Sequence, residues 1–170
     1  MSPSPSFESF VLATGPELVA FARRLTLDHH RAEDIVQDVL ARLGLSWSRL
    51  GGVDDLRAYA YKAVLNDFLS WRRRRSSGER PWADPGTRLR TAAPAADERV
   101  ADRDQLRGVL AQLPPVQRAV LVLRYYHDRP DSEIAELLGC REATVRSHAH
   151  RALSVLRATT AHQTSEGSSR

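Results

Sequence analysis

The chain has 170 residues, 42% of them hydrophobic and 27% charged, with a formal net charge of +4; this is the composition of a soluble globular protein, long enough for one ordinary domain or two small helical ones. Cys140 is the only cysteine, which excludes an intrachain disulfide and a cysteine-based zinc cluster and fits a reducing compartment. The start, Met1-Ser-Pro-Ser-Pro-Ser-Phe7, lacks the basic and apolar regions of a secretory signal, and no apolar run approaches the ~20 residues that cross a bilayer, so a protein without a membrane span that stays inside the cell is expected.

The first block, residues 7–75, reads as helix throughout. Residues 7–14 suit a short helix interrupted at Gly15, and Pro16 suits the first position of a new one, where its missing N–H would have had no partner. Leu18, Val19, Phe21, Ala22 and Leu25 form the apolar stripe of that helix. Asp28 precedes a segment in which Ile35, Val36, Val39, Leu40 and Leu43 recur at helical spacing, ending near Gly44. After the Gly51-Gly52 break, Asp54 or Asp55 caps a long helix with apolar positions Leu56, Tyr59, Ala60, Ala63, Val64 and Phe68, which runs straight into Trp71-Arg72-Arg73-Arg74-Arg75. No segment alternates with the period of a strand.

Residues 76–96, SSGERPWADPGTRLRTAAPAA, carry no sustained apolar period and read as a flexible linker, with Trp82 its one large apolar residue. The second block, residues 97–158, reads as four further helices. Val100, Leu106, Val109, Leu110 and Leu113 mark the first; Pro114-Pro115 ends it and opens the next, with Val116, Ala119, Val120 and Leu123 inward. Pro130 opens a short helix ending at Leu138, Gly139 suits its C-terminal cap, and a longer basic helix follows from Glu142 to about Arg157. Short helix, glycine turn and basic helix form a helix-turn-helix signature. Residues 159–170 read as a disordered tail. The expected fold is all-α: two small helical domains joined by a flexible linker.

On the last helix Val145, Ala149, Ala152 and Leu156 fall on one face, suited to packing against Ile134, Leu137 and Val120, while Thr144, Ser147, His148 and Arg151 fall on the other at i, i+3, i+4 and i+7. Small polar residues followed by arginine suit a major-groove reader; a solvated amphipathic helix is the plainer alternative. The run Arg72 to Arg75 follows Asn66, Asp67 and Ser70 on one helix. Phosphates would neutralise it, and Tyr59, Tyr61, Phe68 and Trp71 offer rings for unpaired bases; a basic helix end complementing its own dipole is the plainer reading. Asp34, Gln37 and Asp38 share an acidic face that DNA would repel, so its reader would be a protein, or else the face is simply solvated. His29, His30, Cys140, His148 and His150 lie in different blocks or on divergent faces, so neither metal nor cofactor is expected, and no catalytic constellation stands out.

Several stretches together resemble an extracytoplasmic-function sigma factor of the compact actinobacterial type. Ala32-Glu-Asp-Ile-Val-Gln-Asp-Val39 resembles the AEDxVQ(D/E)xF segment of region 2, and Ala63-Val-Leu-Asn66 through Trp71–Arg75 its helix ending in tryptophan and arginines. Leu113-Pro-Pro-Val-Gln-Arg-Ala-Val-Leu121, Leu123-Arg-Tyr-Tyr126, Ile134-Ala-Glu-Leu-Leu-Gly-Cys140 and Thr144-Val-Arg-Ser147 with Arg151 resemble region 4. The resemblance implies that Asp34, Gln37 and Asp38 dock on core RNA polymerase. It implies that Asn66, Ser70, Trp71, Arg72 and Arg73 lie near the −10 element of promoter DNA and hold the opened strand. Arg141, Thr144, Arg146, Ser147, His148 and Arg151 would read the −35 element, the linker would thread toward the polymerase active-site channel, and an anti-sigma factor is a further candidate partner. The protein would work in the cytoplasm, at the nucleoid. The chain departs from the family where Arg141 replaces a capping serine, which forgoes ~1 kcal/mol, at His148, often arginine, and at Ser70, often aspartate. A free-standing helix-turn-helix regulator is the main rival, but it leaves the first block unexplained; a DNA-processing enzyme and a polymerase-sequestering protein are the others.

Overall fold

In the computed structural model the described residues are 6–78 and 98–167, and every regular element among them is helical. The expected linker from residue 79 onward, Trp82 included, lies outside the described residues.

The first unit is built from helices α1 (Phe7–Thr26), α2 (His29–Ser46) and α3 (Leu56–Ser76). Ser6 caps α1, its hydroxyl oxygen accepting from the Ser9 N–H at 3.1 Å. The break expected at Gly15-Pro16 does not occur, and α1 is continuous with Pro16 inside it. A proline in a helix interior costs ~3 kcal/mol. Phe10 lies before it, and Leu18, Phe21 and Leu25 after it, on one buried stripe. Each such side chain gains roughly 1.5–3 kcal/mol by full burial, so the packing outweighs the proline. Leu12, whose carbonyl Pro16 cannot serve, is 73% exposed and stands on the solvent side.

A tight elbow separates α1 from α2. Leu27 takes the left-handed conformation at φ 57° and donates its N–H to the Arg23 carbonyl at 2.9 Å. The Asp28 carboxylate then caps α2 by accepting from the Arg31 N–H at 3.0 Å. Ala32, Ile35, Val36, Val39 and Leu43 bury one face of α2. The break expected at Gly51-Gly52 is the end of a 3-10 turn (Trp47–Gly52), and Trp47 packs edge-on against Phe7 and tilted against Phe10, at 5.3 and 5.2 Å between ring centres. Asp55 caps α3, accepting from the Ala58 N–H at 2.8 Å. The buried side of α3 is rotated from the expected one: Tyr61, Leu65 and Phe68 are inside with Ala60 and Val64, while Tyr59 is 46% exposed.

The second unit comprises α4 (Glu98–Gln112), α5 (Pro115–Leu121), a π turn (Val122–Tyr126), α6 (Asp131–Leu138) and α7 (Glu142–Gly167). Pro115 takes the first position of α5, and Gly139 ends α6 in the left-handed conformation at φ 65°, where a side chain would be strained. Val120, Ile134, Val145 and Ala149 form the helix-turn-helix core, and Leu110, Leu113, Leu121 and Ala152 a second cluster behind it. Helix α7 runs past Arg157 to Gly167, through most of the segment expected as a disordered tail. Residues 158–166 contain neither proline nor glycine, and extending a formed helix costs far less than nucleating one.

The two units share one continuous buried cluster that joins Phe21, Leu25 and Phe68 of the first to Val120, Val122 and Leu123 of the second. Arg118 of α5, 3% exposed, lies at the junction. Its Nε donates to the Leu110 carbonyl at 2.9 Å and its Nη1 crosses to the Leu25 carbonyl of α1 at 2.7 Å. Burial, and then the nearby charge of Arg72, push its pKa down to about 10, so it remains charged at neutral pH. Arg107 donates to the Leu27 carbonyl, and the Arg24 guanidinium lies 4.7 Å from the centre of the Tyr126 ring.

Candidate nucleic-acid and partner interface

The capped ends of α2 and α3 fix the first surface. Asp34, Gln37 and Asp38 are all exposed on α2, opposite its buried face. Their neighbour Arg31 bridges two surfaces of opposite sign. Asp34 and Asp38 act on its charge from one side and Arg74 from the other, and its guanidinium carbon lies 4.6 Å from the centre of the Trp71 ring. Burial lowers its pKa, with the two aspartates partly offsetting that. Arg31 was not singled out from the sequence; its i, i+3 and i, i+7 spacing to Asp34 and Asp38 was the available signal.

The C-terminal turns of α3 carry the basic surface. Trp71 is half-buried against Phe68, with Arg72 and Arg75 each 5.6 Å from its ring centre, so cationic side chains surround the indole. Arg73, Arg74 and Arg75 are exposed, Arg72 is half-buried, and among the described residues none of the four has a carboxylate within ion-pair distance. Ser70 is half-buried and accepts from Arg73 at 3.2 Å; Asn66 is exposed. Asp67 is turned to Arg42 at 2.7 Å. Two of the rings expected to stack on bases are not available: Phe68 is 0% exposed and Tyr61 is 6% exposed, both within the core. Tyr59 and Trp71 are the accessible ones. Unneutralised guanidiniums beside an accessible indole are suited to a phosphate backbone and an unstacked base.

The second surface is the outward face of α7. Arg141 stands just before the helix, its carbonyl accepting from Thr144 and Val145 at 2.9 and 3.2 Å, and among the described residues its side chain makes no cap. Arg141, Thr144, Arg146, Ser147 and Arg151 are exposed, while Val145 and Ala149 pack inward as the period requires. Arg146, Ser147 and Arg151 line one shallow groove with Ala143 and His150. Ser147 donates back to the Ala143 carbonyl at 3.0 Å, and Arg146 pairs with Glu142 at 3.6 Å. His148 departs from the expected outward face: it is half-buried, and its Nδ1 is sealed without a hydrogen-bond partner. Behind this helix Arg124 and Asp131 form a two-pronged ion pair, with contacts of 2.5 to 3.0 Å, that ties the π turn to α6. Among the described residues no three His, Cys, Asp or Glu side chains converge as a metal site, and no helix is long and apolar enough to cross a membrane.

Residues 10–78 match the family model for Sigma-70 region 2, and residues 103–156 match that for Sigma-70, region 4. The RNA polymerase sigma-E factor of Streptomyces coelicolor is 36% identical over 153 residues, covering 89% of this chain and 84% of the relative. The ECF RNA polymerase sigma factor SigL of Mycobacterium tuberculosis is 32% identical over 147 residues, covering 82% and 80%. Among solved structures, the sigma factor RpoE of Bartonella quintana in complex with the anti-sigma factor NepR has a similar fold, with a TM-score of 0.65 at 24% identity over 89% of this chain and 94% of that one. CnrH in complex with the cytosolic domain of CnrY is similar in fold at a TM-score of 0.64 and 19% identity, covering 92% of this chain and 88% of that one.

Proposed function

Because the chain belongs to the RNA polymerase sigma factors of the extracytoplasmic-function group, we propose a division of labour among its surfaces. The protein binds core RNA polymerase and directs promoter-specific initiation, and its part in transcription is non-catalytic. Asp34, Gln37 and Asp38 form the polymerase-docking face. Asn66, Ser70, Trp71, Arg72 and Arg73 meet the −10 element, with Arg31 setting the Trp71 ring between the two. Arg141, Thr144, Arg146, Ser147 and Arg151 meet the −35 element, while His148 shapes the helix from beneath. An anti-sigma factor is a further partner on this reading, since the RpoE of similar fold is bound by one. The working place is the cytoplasm, at the nucleoid.

One observation carries the reading: an acidic exposed helix face adjoins a run of arginines without carboxylate partners among the described residues, and a second arginine-bearing helix face stands on a separate unit. A free DNA-binding regulator has no use for the acidic face. Run-off transcription on genomic fragments, with purified core polymerase, tests it. Defined start sites that require the protein are expected; transcripts independent of it, or no association with core polymerase, would refute it.

A further inference from the structure

We infer that the packed arrangement of the two units is a self-closed form of the protein, plugged by His127 and released when that imidazole takes up a proton. The significance of closure rests on the reading above, in which the units serve separate promoter elements; the closure itself does not. A compact chain of this length has a radius of gyration of about 16 Å and is roughly 40 Å across. Elements about 25 base pairs apart are separated by roughly 85 Å of duplex. The closed molecule therefore cannot occupy both at once.

His127 follows the π turn and is the ring that the second unit inserts into the first. Its centre lies 5.0 Å from Phe21 of α1 and 5.5 Å from Tyr61 of α3, both edge to face. Its Nε2 is sealed from solvent and has no hydrogen-bond partner. A neutral imidazole tolerates that position, since the unprotonated nitrogen forfeits only an acceptor interaction. An imidazolium would bury a charged donor with nothing to receive it. The backbone is shaped to deliver the ring, with the π turn before it and Asp128 held at φ 47° after it.

The surrounding charges favour the neutral form. Arg24 faces it from α1 and Arg57 from α3, with Arg129 on its own segment. Glu17 of α1 acts in the opposite sense, but its carboxylate is already engaged by Arg57 and by the Tyr61 hydroxyl at 3.5 Å. Burial first, and then the arginines, hold the His127 pKa below its ordinary value. The sign follows: the open form binds its proton near the ordinary value of about 6.5, and the closed form only at lower pH. Closure is fully favoured above that value and weakens as pH falls below it. The remaining cross-unit contacts are the apolar cluster of Phe21, Leu25 and Phe68 with Val120, Val122 and Leu123, and the arginine contacts of Arg118, Arg107 and Arg24, none of which involves a histidine or a carboxylate.

Small-angle scattering of the full chain at pH 7.5 and 5.5, with far-ultraviolet circular dichroism on the same samples, tests the inference. The parent should be compact at pH 7.5 and expand by several ångströms from about 16 Å on acidification, with its helical signal unchanged. His127→Phe keeps an aromatic plug without a titrating nitrogen and should stay compact at both values. His127→Arg should be expanded at both. Should the arginine variant lose its helical signal, the parent and the phenylalanine variant still decide the matter. A parent already expanded at pH 7.5, a parent unchanged at pH 5.5, or a phenylalanine variant that opens with the parent's midpoint would overturn the inference. Neither polymerase nor DNA enters the measurement, so failure here is distinct from failure of the run-off assay.

Discussion

Replacing Arg118 by methionine keeps an apolar stem in place of the side chain's methylenes and removes the guanidinium. Two short hydrogen bonds disappear, to the Leu110 carbonyl at 2.9 Å and the Leu25 carbonyl at 2.7 Å, with longer ones to Leu113 and Ala111 at 3.3 and 3.4 Å. The Leu110 carbonyl keeps the Leu113 N–H at 3.2 Å, so the main cost falls at the Leu25 carbonyl, where a buried acceptor losing its donor costs about 1–3 kcal/mol, with roughly 1 kcal/mol more for the bond lost at Leu110. Some of this is returned, because methionine relieves the penalty of holding a cation out of water. A net loss of about 2 kcal/mol is expected, which for a chain of this size lowers the melting temperature by roughly 4–8 °C. Thermal unfolding followed at 222 nm measures it. Arg118→Lys retains the charge but not the planar fork that reaches carbonyls in two directions, and should recover less than half of the loss. A methionine variant melting within about 2 °C of the parent would refute the assignment, as would a lysine variant indistinguishable from the parent.

Asp38→Arg reverses the sign at the centre of an exposed acidic face without disturbing the core; it should abolish binding to core polymerase, measured by fluorescence anisotropy, at an unchanged helical signal. Arg151→Ala should leave that binding intact while lowering run-off yield from a cognate promoter by roughly 5- to 150-fold, the worth of one two-pronged base contact of about 1–3 kcal/mol. An unchanged yield would remove Arg151 from the reading face. Gly139→Ala forces a side chain into the left-handed conformation at φ 65°, at about 1–2 kcal/mol, and should lower the melting temperature by roughly 2–8 °C without altering polymerase binding.

What the sequence disclosed, and what it concealed, divides along the range of the interactions. The starts of α2 and α3 were legible, at Asp28 and at Asp54 or Asp55, because capping is settled within four residues, and the faces of α7 because Val145, Ala149 and Ala152 obey the helical period without interruption. The Gly15-Pro16 pair misled: local chemistry argues for a break there, yet the stripe of Phe10, Leu18, Phe21 and Leu25 holds one phase on both sides of it. Tyr59 and Tyr61 differ by only two residues, and their assignment to surface and core depended on Glu17 and Phe21 of another helix. Arg118 and His127 gave no signal at all. An arginine in a helix reads as surface, and its acceptor at Leu25 lies 93 residues away. The acidic face and the arginine run were found as separate features; Arg31, which joins them across Trp71, becomes visible only once α2 and α3 are side by side.

Helix α7 has a double duty that makes it a lever. Its first turns carry Thr144 and Ser147, and its later turns anchor α4 through Ala152, Leu153 and Leu156 against Leu110 and Leu113. Some 18 Å of stiff rod separates Thr144 from Leu156. A few degrees of tilt of α7 on its core contacts therefore displaces Thr144 relative to Leu156 by an ångström or more, which on the proposed function is enough to misalign hydrogen bonds to base edges. On the proposed function, apolar packing far from any base would thus set the aim of the side chains assigned to the −35 element, and softening that fulcrum would blur promoter choice without altering any of those residues.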